Sequence, residues 1–238
     1  MLEALQLKKF DSIPRLYRNV TITEKIDGMN CGIHILKADK YMSSSESGAL
    51  FSICIDGQWW HVSAQSRRAL LYFDSDQHGF AAWVFQHARE LIALLGEGSH
   101  YGEWWGKGIE RSYHQSRNYF SLFNTKFWNR ENTKHIDGLQ VVPVLYDGPY
   151  DDRVNYYALE QLRINGSIAA QEVDARKLDF RAEGIVGWHQ ALNQYYKVTL
   201  NGDGHKGAAK LAAEATAAKN SNYSEFFNLL KENNDPPA

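Results

Sequence analysis

The chain is short of the features that mark several protein classes. It has 2 cysteines, Cys31 and Cys54, among 238 residues, too few for a disulfide framework. No apolar run approaches the roughly 20 residues of a membrane span, and no secretory signal opens the chain. A soluble, cytoplasmic protein is the expectation. The formal net charge is only −2, which excludes holding a nucleic acid by bulk charge, so any such contact has to be a local basic patch. Pro-rich and Gly/Ser-rich linkers are missing, as are internal repeats. What is present, 44% apolar and 13% aromatic residues, suffices for a globular core. The length suits one large domain, or one domain with a small appendage.

Val20 and Ile22 alternate with threonines, and Cys31, Ile33 and Ile35 alternate with smaller or polar residues. Both runs carry the period of two expected of half-buried strands. "LFSICIDGQWWHVSA" reads as a hairpin turning at Asp56-Gly57. Phe80, Trp83, Val84, Ala88, Leu91, Ile92 and Leu95 recur at helical spacing, with Gly96 placed to end a helix. "GLQVVPVLY" and "EGIVGWHQALNQYYKVTL" read as further strands, and "YYALEQLRING" as a helix closed by Gly166. After Gly207 the chain becomes Ala-rich and then polar, which suggests one or two short helices. The expected architecture is α+β and strand-dominated, with a main domain over 1–207 and a helical appendage over 208–238.

Between the first two strands lies "EKIDGMN", which puts a cation, a carboxylate and a glycine where a plain hairpin needs no lysine. Lysine is a nucleophile only when neutral, and a neutral amine attacks phosphorus to form a phosphoramidate. Lys-x-Asp-Gly arises by chance in roughly one chain in twenty of this size, so alone it is weak. It is accompanied, in order, by "AQSRR", "YGEWWGKGI", "YFSLFNT", "AEGIVGWH" and "YYKVTL". This succession, from Glu24 to about Thr199, resembles the covalent nucleotidyltransferase superfamily of polynucleotide ligases and capping enzymes. The closer resemblance is to phage RNA ligases of the nick-sealing type.

The resemblance implies an ATP-grasp-like nucleotidyltransferase fold of antiparallel sheets and a site distributed along the chain. Lys25 would be the adenylated nucleophile. Glu24 would lie where the family contacts the base, Asp27 would be a packing or metal-positioning carboxylate, and Gly28 would let the backbone approach the nucleotide. Asn30 would sit near the phosphates or the RNA end. Arg67, with Arg68 as its substitute, would meet phosphate or ribose oxygens, and Glu103 the ribose hydroxyls. Phe123, with Phe120 close behind, would stack on adenine. Glu183 would bind metal or position the lysine, and Lys197 would meet the α-phosphate. The family's last motif usually carries two lysines two positions apart. This chain has Tyr195 and Thr199 around Lys197, so Lys206 is the candidate for the missing charge. If Gly187 stands opposite Lys197 in the last hairpin, Glu183 and Lys197 share a face; a one-residue slip separates them.

The implied activity is ATP-dependent joining of RNA 5′-phosphate and 3′-hydroxyl ends by a monomer, with Mg²⁺ (or Mn²⁺) offsetting phosphate charge. The stretch from Lys107 to Lys134, rich in basic and aromatic residues, would suit contact with a strand. A DNA ligase or capping enzyme shares the lysine chemistry. Both typically place a β-barrel domain after the last motif, for which the residues after Lys197 leave no room. A non-catalytic nucleic-acid-binding module on the same fold is the other alternative.

Overall fold

The structure, a computed structural model, describes residues 9–174 and 180–201. The main chain runs through β1 (Asn19–Lys25), β2 (Met29–Ala38), α1 (Ser44–Ser47), β3 (Phe51–Ile55), β4 (Gln58–Ser66) and β5 (Leu70–Leu71). Then come α2 (Phe80–Gln86), α3 (Ala88–Leu95), β6 (Gly98–Gly106), β7 (Asn118–Leu122), α4 (Arg130–Thr133), β8 (Leu139–Val141) and β9 (Val144–Pro149). The final elements are α5 (Val154–Asn165), α6 (Ile168–Val173), β10 (Gly184–His189) and β11 (Gln194–Thr199). The α+β class expected from the pattern is the one found. The expected appendage over 208–238 and Lys206 lie outside the described residues. Among those that are described, no helix is long and apolar enough to cross a membrane.

Two sheets carry the molecule. The smaller has the order β11-β10-β1-β9 and the larger β3-β4-β2-β6-β7-β8, with β5 added to β4. Pairing is antiparallel throughout except between β7 and β8. Alternation along β1 buries Val20, Ile22 and Glu24 and leaves Thr21, Thr23 and Lys25 on the opposite face. The buried face packs with Ile185 against Val154, Ala158 and Leu162 of α5. In the larger sheet, Cys31, Ile33, Ile35, Val62, Ala64, Trp104, Phe120 and Leu122 meet the apolar sides of α2 and α3. A third cluster, with Ile26, Trp105, Tyr113, Tyr119, Ala169 and Phe180 among its members, closes one end where the sheets meet.

Several expectations are met in altered form. Asp56-Gly57 is the turn of the β3–β4 hairpin, both residues having positive φ (50° and 82°) as a type I′ turn demands. The helical spacing over 80–95 buries every residue it nominated, but as two helices, because His87 leaves helical geometry (φ −104°, ψ 18°). "GLQVVPVLY" divides between the sheets, β8 joining the larger and β9 the smaller. Pro143 stands at the crossing; it has no N–H for a ladder, and its carbonyl accepts from Glu24 N at 2.9 Å.

The last hairpin takes the slipped register. Lys197 opposes Val186 and Tyr196 opposes Gly187, because the four residues 190–193 close the loop on the pair His189 and Gln194. The expected pairing of Gly187 with Lys197 is therefore wrong. Through β10, the rows continue onto β1: Lys197, Val186 and Thr23 form one, and Thr199, Gly184 and Lys25 the next. Lys197 thus shares the face of Lys25, opposite to the α5-packed face.

Candidate active site

Lys25 ends β1 on that shared face, and its Nζ lies 2.5 Å from Glu183 Oε2. Both side chains are mostly enclosed, at 21% and 17% exposure. Glu183 stands one residue before β10, whose first residue, Gly184, is the partner of Lys25. Its carbonyl still accepts from Leu200 N at 2.8 Å, so the β10–β11 ladder reaches it, and its carboxylate meets Nζ at the end of the strand. A carboxylate at this distance fixes the amine and offers a place for its proton. Lys197 lies one row away, exposed on β11.

Glu103 approaches from the larger sheet. It is the β6 partner of Asn30 on β2, so both point to the same face. Burial pushes its carboxyl up to about 7, Lys25 and Arg67 pull it down, and Glu183 and Asp27 push it further up. These couplings bring residues from four distant motifs into one electrostatic unit. Arg67 follows β4 in an exposed turn, and of the Arg67–Arg68 pair it is Arg67 whose charge acts on Glu103.

The neighbours of Lys25 in sequence are engaged elsewhere. Glu24 faces the protein interior at 1% exposure; its Oε2 accepts from Ala169 N at 2.9 Å, while buried Oε1 has no partner. Burial lifts its carboxyl to about 7, with Ser167 and the Ala169 and Ile168 amides drawing it partly back. Asp27 Oδ2 accepts from Arg111 Nε at 2.7 Å, and its backbone N–H donates to the Tyr113 hydroxyl at 2.7 Å. The close approach that Gly28 permits is to the protein's own β6. A Cβ there would lie 2.6 Å from Trp104 O and 2.8 Å from Trp105 Cβ, so the turn could not seat with a side chain.

Phe123 is half-buried against the third cluster, whereas Phe120 is wholly buried in the larger core. The basic and aromatic stretch over 107–134 divides between interior and surface, with Lys107, Lys126, Phe127 and Arg130 exposed. Tyr113 and Tyr119 are buried, Arg111 serves Asp27, Arg117 pairs with Asp137 and Lys134 with Glu131. Arg111 and Tyr113, which hold the turn after Lys25, were thus legible only as part of a charged run. Their placement depends on left-handed backbone at Glu110, Ser112, Tyr113 and His114, for which no glycine or asparagine gives a signal.

The arrangement is that of an amine held by one carboxylate, faced by a second, with arginine and lysine at the rim. The family model for RNA ligase matches residues 18–198, which contain every one of these groups. The chain belongs to the RNA ligase family. It is thereby a member of the nucleotidyltransferase superfamily, whose antiparallel α+β architecture it has. No protein of curated function matches it. Among solved structures it is similar to an RNA ligase from Naegleria gruberi. A mutant of that ligase with ATP and Mn is 14% identical, with 82% of this chain and 51% of that chain covered and a TM-score of 0.47. A mutant with AMP and Mn gives 15%, 83%, 52% and 0.47, and an apo mutant 15%, 82%, 51% and 0.46. This RNA ligase family member therefore spans about half the length of those chains.

Proposed function

We propose that the protein is an ATP-dependent RNA ligase that works through a lysyl-AMP intermediate on Lys25. The observation that carries this reading is the contact of Lys25 with Glu183 beside Glu103, inside a chain of the RNA ligase family. Lys25, as the free amine, attacks the α-phosphate of ATP; the N–P bond forms as the bond to pyrophosphate breaks. Glu183 holds Nζ in line and takes up the proton that the amine sheds. An oxygen of an RNA 5′-phosphate then attacks the AMP phosphorus and frees the lysine. Finally the 3′-hydroxyl of the second RNA end attacks that activated 5′-phosphate and expels AMP.

Glu103 would accept hydrogen bonds from the ribose hydroxyls, with Asn30 beside it. Glu24 Oε1, buried and unpartnered, would accept from the amino group of adenine, and Phe123 would lie against the base. Arg67 and Lys197 would neutralise phosphate charge from the two sheets. Asp27 and Gly28 act on the shape of the lysine turn through Arg111, Tyr113 and β6. Among the described residues no cluster of three or more metal-binding side chains occurs. Glu183 suits a divalent ion of the Mg²⁺ kind, which is held by one or two carboxylates plus phosphate oxygens and water. Such an ion would supply charge neutralisation at the phosphates.

The test is incubation with Mg²⁺ and α-labelled ATP, followed by denaturation. Label is expected on the wild type and none on Lys25→Ala. Wild-type protein that takes no label from ATP, with Mg²⁺ or Mn²⁺ and across pH, would remove the reading.

A further inference from the structure

The open face of the larger sheet continues past Glu103 in cross-strand rows. The first row holds Glu103 and Asn30, with Arg67 just beyond the end of β4. The next holds Tyr101, Gly32 and Gln65, and the one after it Ser99, His34 and Ser63. Successive rows are about 7 Å apart, since each residue advances a strand by about 3.4 Å. Tyr101 is therefore one row from the candidate ribose-binding carboxylate, on the same strand and the same face.

Tyr101 is 46% exposed, with two neighbours against its ring. Its ring lies over Gly32, where an added Cβ would come within 3.0 Å of both Cδ1 and Cε1. His34 meets the ring edge-on at 5.8 Å and 79°. His34 is itself fixed, one ring nitrogen 2.7 Å from Ser99 Oγ and the other 2.7 Å from Gln65 Oε1. A large aromatic left half-open at such a place forfeits apolar burial unless something covers it. Phe123 is the cross-strand neighbour of Tyr101, its N–H donating to Tyr101 O at 3.0 Å, but the two rings pack in different places: Phe123 against the cluster of Trp105 and Phe180, Tyr101 over Gly32 and beside His34 of β2.

We infer that Tyr101, braced by Gly32 and His34, is a stacking platform for a nucleobase of the RNA next to the joint. The inference rests on the ligase reading for its choice of ligand. Stacking on an aromatic face is tolerant of base identity. The surroundings suit a polynucleotide rather than a protein partner: Gln65, Ser63 and Ser99 offer hydrogen-bonding groups, and Arg67 supplies a cation at the row where the phosphate would pass.

The experiment measures binding of a short 5′-phosphorylated RNA with 2-aminopurine at its first or second nucleotide, single-stranded and annealed across a nick. Wild-type full-length chain is expected to quench the fluorescent base. Tyr101→Leu should bind about tenfold more weakly and lose the quenching, and Tyr101→Phe should restore both. Gly32→Ala, which pushes the ring off its seat without removing it, should weaken RNA binding as well; it guards against a misfolded Tyr101→Leu. Transfer of label from ATP is measured on the same preparations. Equal losses of label and RNA binding in Tyr101→Leu would assign Tyr101 to the ATP pocket and overturn the inference. So would unchanged RNA affinity, or a wild type that binds no RNA. A wild type that binds RNA through Tyr101 but takes no label would uphold the platform while removing the ligase reading.

Discussion

In the smaller sheet, the residues beside Lys25 in sequence turn away from it: Glu24 into the interior and Asp27 toward Arg111. In the larger sheet, Glu103 lies far along the chain and yet feels the charge of Lys25. Glu24 and Glu103 are both carboxyls raised to about 7, in each case chiefly by burial. They differ in what remains around them. Glu24 keeps amide and hydroxyl partners at α6, while Glu103 keeps charged neighbours of both signs. Proximity in a strand separates side chains by face, and proximity across a sheet joint brings them together. The nucleophile's sheet thus supplies the amine and its turn, and the other sheet supplies the surface that meets it.

Substitutions can break this division of labour, beginning with the largest effect. Glu183→Ala removes the partner of Nζ, and labelling from ATP is expected to fall about a hundredfold or more, read as a single-turnover rate. A rate within a fewfold of wild type would mean that Glu183 holds Lys25 only in the resting protein. Glu103→Ala should cost less at saturating ATP than at low ATP, because the carboxylate acts on the ribose in both ground and transition states. Equal losses at both would move Glu103 from binding to the reacting phosphorus.

Glu24 tests the interior side through pH. Its folded-state pKa of about 7 exceeds the ordinary 4.5, so the folded protein binds the extra proton. Its contribution to stability is complete below about 4.5 and is lost as pH rises to about 7, a change on the order of 3 kcal/mol. Glu24→Gln should flatten that part of the stability profile in denaturant melts; an unchanged slope would place the titration elsewhere. Tyr113→Phe leaves the Asp27 N–H without its acceptor and should cost about 1–3 kcal/mol. Because the turn carries Lys25, its labelling rate should also fall, by less than in Glu183→Ala. A stability loss with no change in rate would confine Tyr113 to packing.

Much of the fold was legible. The alternation at 20–22 and 31–35, the Asp56-Gly57 turn and the apolar spacing of 80–95 all report local backbone preference and burial, which a sequence carries residue by residue. The family was legible too, because the order of motifs along the chain resembles it. Geometry was less so. The last hairpin was expected one residue out of register, since its turn offers no Asn-Gly or Asp-Gly to pin the loop length. Gly28 was read as room for a nucleotide, but the backbone it accommodates is that of β6.

The sequence by itself determined which segments are strands and helices, which faces are apolar, and that a lysine, two glutamates and an aromatic residue recur in a ligase-like succession. The tertiary structure alone decided that Glu183 grips Lys25, that Glu24 is buried away from it, that Arg111 and Tyr113 hold the turn, and that Tyr101 stands open beside Glu103. The physical reason is that local pattern fixes the side of a strand on which each residue lies, whereas the pairing of distant strands, set by packing of the whole core, fixes what that side meets.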